Sequence, residues 1–424
     1  MAMIKQIVDL HIHSKYARAC SPLLELPNIA QACEKKGIDI CATGDFTHPA
    51  WFSHIQNELK EVGNAGLYEL KNSQSKTKFI LATEISSIYK HKDKVRRVHL
   101  LLLAPNIEAA DKLNVALNSR GVNLRSDGRP IMGLHAKEVL KIMLDIDKRF
   151  MMIPAHAWTP WFAVFGSKSG YDSLEDCFEE LTPYICAIET GLSSDPVMNR
   201  RLKQLDDIAL VSNSDAHSLE NLGREANVFA FKSEKNITYD GVLDCIRSND
   251  KNKFLYTIEF YPEEGMYHVD GHRACGVSML PKESKKNKKI CPKCKKELTI
   301  GVLHRVDDLA DREEKDIPCD KFIPHKYIVP LREIISEAFG VGVKSKKVEA
   351  EHKSMISHLG SEFGILLDVP LEKIEQQVSD KNILLGIKNM RAGRIQAIAG
   401  FDGQYGKVKT ILEPIKKKTQ SRLL

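Results

Sequence analysis

His11 and His13 close the apolar run IVDLHIHS one residue apart. On an extended backbone alternate side chains leave the same face, so the two imidazoles project together from a strand end, an arrangement that chelates a metal. Alone, such a pair is more often a satisfied surface pair, but here the pattern recurs. ICATGD closes on Asp45, FILATE on Glu84, MMIPAH on His156 and ALVSNSDAH on Asp215 and His217, while His99 in RRVHLLLLA enters a strand instead of ending one. Imidazole and carboxylate at several strand ends argue for a metal cluster. Each residue also has a plainer reading: Asp215 and His217 fit a turn with a helix N-cap, and His99, beside Leu100 to Leu103, fits a core histidine.

A cluster of this kind must be delivered by strands whose carboxyl ends converge, as in a parallel (β/α) barrel. From residue 4 to about 232 short β-branched runs alternate with amphipathic ones. LPNIAQACEKKG has helical spacing and stops at Gly37, a C-cap. The strands ICATGD, KFILATE, VHLLLLA, MMIPAHA, CAIETG and ALVSNSD follow, with helical stretches near 55–70, 107–118, 135–145, 174–181 and 196–205. The expected fold class is therefore α/β, an irregular (β/α)7 barrel over 1–235. At 424 residues the chain is too long for one ordinary core, and beyond NVFAF the alternation stops.

A second unit is expected over 260–325. His272-x-x-Cys275 and Cys291-x-x-Cys294, fifteen residues apart, have the spacing of a zinc knuckle with one histidine, so a structural zinc is expected there. Cys319 and His268 are the spare ligands. Residues 282–296 hold eight lysines against one glutamate, and Lys285, Lys286, Lys288 and Lys289 on a knuckle would suit phosphate contact. A lysine run is otherwise a solvated loop. A mainly helical domain is expected over 326–412, ending in glycine turns that carry Arg391 and Arg394; these fit either DNA phosphates or ordinary tight turns. A flexible basic tail is expected over 413–424.

The other six cysteines stand singly, several of them in apolar segments, as reduced core thiols do. The formal charge of +6 permits a nucleic-acid partner without requiring one. MAMIKQIVDL lacks a signal peptide, and no window reaches membrane-spanning length, so a cytoplasmic protein is expected.

DLHIHS, TGD, TEIS, VHLLL, PAHAW and SNSDAH together resemble, in order and spacing, the motifs of the PHP (polymerase and histidinol phosphatase) phosphoesterase superfamily. PAHAWTPW, ETGLSSD and the elements beyond residue 260 resemble the endonuclease Q family, and that likeness covers nearly the whole chain. The resemblance implies a PHP-type barrel with two or three divalent ions (Zn, Mg or Mn), Glu84 as bridging carboxylate, and His11, His13, Asp45, His99, His156, Asp215 and His217 as the other ligands. It implies hydrolysis of DNA on the 5′ side of uracil, hypoxanthine, xanthine or an abasic site. Two departures stand out. Asp45 replaces the usual histidine of the TDH-type motif, and the aspartate expected after the first histidine pair is absent, with Arg18 near its place.

Glu189 and Asp195 in ETGLSSD are further acidic candidates near the site; Asp195 before a proline equally fits an N-cap. Trp158, Trp161, Phe162 and Phe165 follow a ligand strand directly and would serve as stacking platforms for an extruded base, although clustered aromatics are usually core. A small-molecule phosphatase of the histidinol phosphate kind, or a DNA-binding module on a degenerate barrel, are the alternatives. Gln420-Ser421-Arg422-Leu423-Leu424 resembles the short peptide by which bacterial repair proteins bind the sliding clamp.

Overall fold

A computed structural model of the chain describes residues 3–411. The expected clamp peptide, Gln420 to Leu424, lies outside the described residues. In chain order the strands are β1 Ile4–Asp9, β2 Ile40–Ala42, β3 Leu59–Glu61, β4 Leu67–Leu70, β5 Lys78–Ile80, β6 Ala82–His91, β7 Lys94–Leu103, β8 Ile131–Met132 and β9 Met151–Pro154. They continue with β10 Ala187–Glu189, β11 Ala209–Val211, β12 Ala226–Phe231, β13 Phe254–Glu259, β14 Asp270–His272, β15 Val277–Met279, β16 His325–Tyr327, β17 Gln396–Ile398 and β18 Lys407–Lys409.

The architecture is mixed α/β, and its ladders do not close into a (β/α)7 barrel. One sheet runs β16-β13-β12-β1-β2-β5-β4-β3, a second β8-β6-β7-β9, and β10 pairs with β11 alone. The physical cause is the link between β6 and β7. Lys92 and Asp93 both have positive φ (48° and 60°), a two-residue hairpin turn that joins the strands antiparallel and leaves no room for a crossover helix. The staves still follow one another round the site. β1, β2 and β5 pair in parallel, Leu81 turns β5 into β6, and Asn227 reaches across to the Val8 and Ser212 carbonyls, tying β12 to β1 and β11.

Residues 55–70 are not one helical stretch. Helix Pro49–Glu58 ends there and the β3–β4 hairpin follows, because Gly63 and Gly66 take left-handed φ and break the helix. Helix Leu26–Lys36 does end at Gly37, whose amide donates to Cys33 O. The sheet also runs on past residue 235, since helix Tyr239–Ser248 leads into β13, which pairs with both β12 and β16.

Helices Leu331–Phe339, Lys346–Leu359 and Lys381–Arg391 share the main core with the sheets. Their anchor is Glu362, buried between Lys36 Nζ (3.0 Å) and His352 Nε2 (3.1 Å). The β14–β15 region has a separate core of only Val277, Cys291 and Leu298, with Cys275 and Met279 against it. That is too little apolar surface to hold a fold unaided. Among the described residues no helix is long and apolar enough to cross a membrane.

Candidate metal centre

Five of the expected ligands, from the segment after β1, from β7 and from the loops after β9 and β11, gather round Glu84 on β6. Its Oε2 lies 3.2 Å from His13 Nε2 and 3.6 Å from His11 Nε2, whereas its Oε1 lies 2.7 Å from His99 Nδ1 and 3.1 Å from His156 Nε2. Asp215 Oδ1 completes the first group, 3.2 Å from His13 Nε2 and 3.7 Å from His11 Nε2. One carboxylate thus faces two potential ion positions, His11/His13/Glu84/Asp215 and Glu84/His99/His156.

The orientation of the imidazoles is set from behind. Glu189 accepts from His11 Nδ1 (3.0 Å), from Asn213 Nδ2 (2.8 Å) and from the His156 amide (2.7 Å). Asp45 accepts from His13 Nδ1 (2.9 Å) and from the amide and hydroxyl of Ser14 (both 2.6 Å). Carboxylates on Nδ1 turn the Nε2 atoms inward, the usual support of a metal-binding histidine. His11 Nε2, His13 Nε2 and Asp215 Oδ1 are all buried with no hydrogen-bond partner, a costly arrangement unless an ion satisfies them. The residues present therefore fit divalent metals.

Charge and strain agree. Burial acts to lower the His11 pKa, but Glu189 and Glu84 carry it well above the ordinary value; at His13, Asp45 and Asp215 do the same. Burial takes His99 down to about 4 against the pull of Glu84, so its ring is neutral at physiological pH. Asp45, His156 and Asp215 have φ of 45°, 30° and 45°, a conformation non-glycine residues hold only where surrounding structure imposes it.

The remaining candidates divide. Asp45 does not reach the ion positions, because both its oxygens are committed to His13 and Ser14. His217 sits behind His13, ring centroids 4.6 Å apart, with Nδ1 donating to Asp215 O (2.9 Å). Asp195 is an N-cap whose Oδ1 accepts from Met198 N and Oδ2 from Tyr327 OH, both at 2.7 Å. In the knuckle His272, Cys275, Cys291 and Cys294 gather with ligand atoms within 4.8 Å of one another, and neither Cys319 nor His268 joins them. Burial resists ionisation of Cys291, yet the amides of Cys294 and Lys293 pull its thiol down, as suits a ligand thiolate.

Known proteins resemble this chain over most of its length. Residues 330–394 match the family described as MJ0043 C-terminal domain. The protein MJ0043 of Methanocaldococcus jannaschii is 31% identical over 259 residues, 60% of this chain and 31% of that one, so the chain spans about a third of that relative's length. YqxK of Bacillus subtilis is 28% identical over 422 residues, 96% of this chain and all of that one. The crystal structure of the lesion-specific endonuclease PfuEndoQ from Pyrococcus furiosus superimposes with a TM-score of 0.84 at 30% identity, covering 96% of this chain and 95% of that one. Endonuclease Q in complex with a 27-mer duplex bearing an abasic lesion at the active site gives 0.84 and 30%, covering 97% and 99%.

The chain belongs to the endonuclease Q family.

Within this endonuclease Q frame the other sequence candidates fall into two groups. Trp158 and Phe165 are buried, Trp158 Nε1 donating to Asn199 Oδ1 (2.7 Å), so neither can stack on a base. Trp161 and Phe162 are half-buried on the rim, Trp161 against Tyr267 and Phe162 4.7 Å from the His99 ring. Lys285 is paired with Asp307 (2.6 Å) and Asp308 (3.0 Å), and Lys289 with Asp308 (3.6 Å); Lys286 and Lys288 are exposed. Arg391 is spent on the carbonyls of Ile365, Leu366 and Val369, a helix-end role, while Arg394 is exposed.

Sequence reasoning missed the cavity of about 550 Å³ beside the ligand cluster, lined by His156 and Asp215 and by Phe260, Met266, Tyr267 and Tyr405. Tyr405 stands 74% exposed on a turn pinned by Gly400 N to Glu263 O and Gly406 N to Glu264 O. It also missed Arg129, half-buried against Glu84. The one local cue to Arg129 was the Asp127-Gly128 turn before it.

Proposed function

We propose that the protein is a metal-dependent DNA repair endonuclease that hydrolyses the phosphodiester 5′ of deaminated bases (uracil, hypoxanthine, xanthine) and of abasic sites. The observation that carries this reading is Glu84, one carboxylate facing two groups of inward-turned ligands. Divalent ions there, Zn, Mg or Mn, would supply an activated water near neutral pH and positive charge for the departing oxygen. The chain's own residues do the positioning: Glu189 and Asp45 hold His11 and His13 in the ligating orientation, and His99 stays neutral.

Chemistry beside a damaged base in a duplex requires taking that base out of the stack. The cavity next to His156 and Asp215 is roomy enough to receive it, and its aromatic residues give the flat partners that bases stack on. A structural zinc at His272, Cys275, Cys291 and Cys294, Lys286, Lys288 and Arg394 on DNA phosphates, a three-part division of the chain, a cytoplasmic site of action and a clamp-binding tail belong to the same reading. A histidinol-type phosphatase would need neither the knuckle nor the C-terminal helices. The test is a set of labelled duplexes carrying deoxyuridine, deoxyinosine, an abasic site or no lesion, with and without EDTA. Nicks beside lesions alone, lost on chelation, support the reading; cleavage of a small phosphomonoester with no duplex nicking refutes it.

A further inference from the structure

Arg129 donates from Nη1 to Glu84 Oε2 at 3.0 Å, with its side chain 25% exposed. The backbone puts it there. The Gly128 amide donates to Tyr16 O (3.0 Å), Asp127 Oδ1 accepts from the amides of Arg18 (3.1 Å) and Arg129 (3.0 Å), and Pro130 O accepts from Ser86 N (3.0 Å). Position 128 must be glycine, since a Cβ there would fall on Asp45 Oδ2 and Ala17 N. The same turn that packs on the carboxylate orienting His13 thus delivers the guanidinium. Arg18 itself is exposed, so Arg129 brings the positive charge to this centre.

A guanidinium presents five N–H donors in a plane, and Arg129 gives one to Glu84. Nε and Nη2 have no acceptor among the described residues. A permanent cation beside two ion positions is repelled by both unless anionic oxygen lies between them, and the oxygens of a phosphodiester are such a bridge. We infer that Arg129 binds a non-bridging oxygen of the scissile phosphodiester and stabilises the charge that grows on it. This rests on the phosphodiesterase reading above. In the step it serves, a water oxygen bonds to phosphorus and the bond from phosphorus to the departing sugar oxygen breaks. One water proton passes to that oxygen and the other is released to solvent. Donors placed where charge develops typically contribute about a hundredfold to a thousandfold in rate.

The test compares wild type with Arg129→Gln and Arg129→Lys, all metal-loaded. Orthophosphate binding is followed by calorimetry, and cleavage is followed on bis(p-nitrophenyl) phosphate and on lesion duplexes with Rp or Sp phosphorothioate at the scissile position. For Arg129→Gln we expect unchanged metal content, orthophosphate binding weakened about tenfold or more, cleavage down about a hundredfold, partial rescue by guanidinium ion, and a lost difference between the two phosphorothioates. One extra bound ion per chain would mean that Arg129 occupies a metal position and would overturn the inference. So would unchanged orthophosphate affinity, or no orthophosphate binding by wild type. A wild type that binds orthophosphate and cleaves the simple diester but no lesion duplex refutes the lesion-specific reading alone, and leaves the Arg129 comparison readable on the simple diester.

Discussion

Glu189 accepts a hydrogen bond from His11 Nδ1 at 3.0 Å from 0% exposed surroundings, and its other oxygen holds the His156 amide at 2.7 Å. One carboxylate that touches no ion position thereby orients a ligand of each. Glu189→Gln should weaken metal affinity about tenfold to a hundredfold with little change in fold. Metal titration of the chelated protein reads this directly, and an unchanged affinity would show that Glu189 is merely a core polar group.

The pH dependence follows from the same carboxylates. In the metal-free protein His11 and His13 are raised well above 6.5, burial being outweighed by Glu189 and Glu84 at one and by Asp45 and Asp215 at the other. Both rings hold protons at neutral pH that an ion must displace, so affinity should fall as pH falls, and binding at pH 7 should release about one proton from each. For folding the sign is reversed. Stability from these protonated rings is fully present below the unfolded value and lost as pH rises through the folded one, so the chelated protein should lose Tm above neutrality. Calorimetry in buffers of differing ionisation enthalpy measures the protons; a buffer-independent heat would contradict the account.

The strand ends were legible because apolar runs and ligand-type residues coincide at His11, His13, His156 and Asp215; Glu84, expected to close a strand, is instead the third residue of β6, past the turn at Leu81. Asp45 shows where that reasoning stops. Strand position puts it at the site, but only the approach of Ser14 and His13 Nδ1 reveals that its oxygens are occupied. Trp158 and Trp161 are three residues apart in one loop, yet one is core and one rim, because the loop folds back through Phe165 N to Ala157 O. The β6–β7 hairpin hid behind strand-like runs on both sides of Lys92 and Asp93, so the ladders run as separate sheets where an irregular (β/α)7 barrel was expected.

Glu362 joins the C-terminal helices to helix Leu26–Lys36. Burial works against its ionisation, but Lys36 and His352 lower its pKa from 4.5 to about 2. Its contribution is present above the unfolded value and lost as pH falls through about 2. Glu362→Gln, which strands the buried Lys36 ammonium, should cost about 3 kcal/mol in denaturant unfolding. A loss under about 1 kcal/mol would mean that the C-terminal helices are held to helix Leu26–Lys36 by apolar packing alone.

Cys291→Ser should remove one bound ion per chain and loosen the segment around β14 and β15, whose small core cannot replace a metal's contribution. Elemental analysis with hydrogen exchange of residues 270–298 checks both. Retention of the ion, or unchanged protection, would show that the knuckle is not a metal site.

The central claim is that Glu84 bridges two ions that cleave DNA beside a lesion. It is tested most directly by single-turnover nicking of a 5′-labelled duplex containing one deoxyuridine, with wild type and Glu84→Gln, before and after EDTA. The account predicts one product, cut on the 5′ side of the deoxyuridine, made only by wild type, abolished by EDTA, and reduced more than about a hundredfold by the substitution, since a bridging ligand matters more than the residues behind it. Nicking at the wild-type rate by Glu84→Gln, or nicking that persists in EDTA, would contradict it.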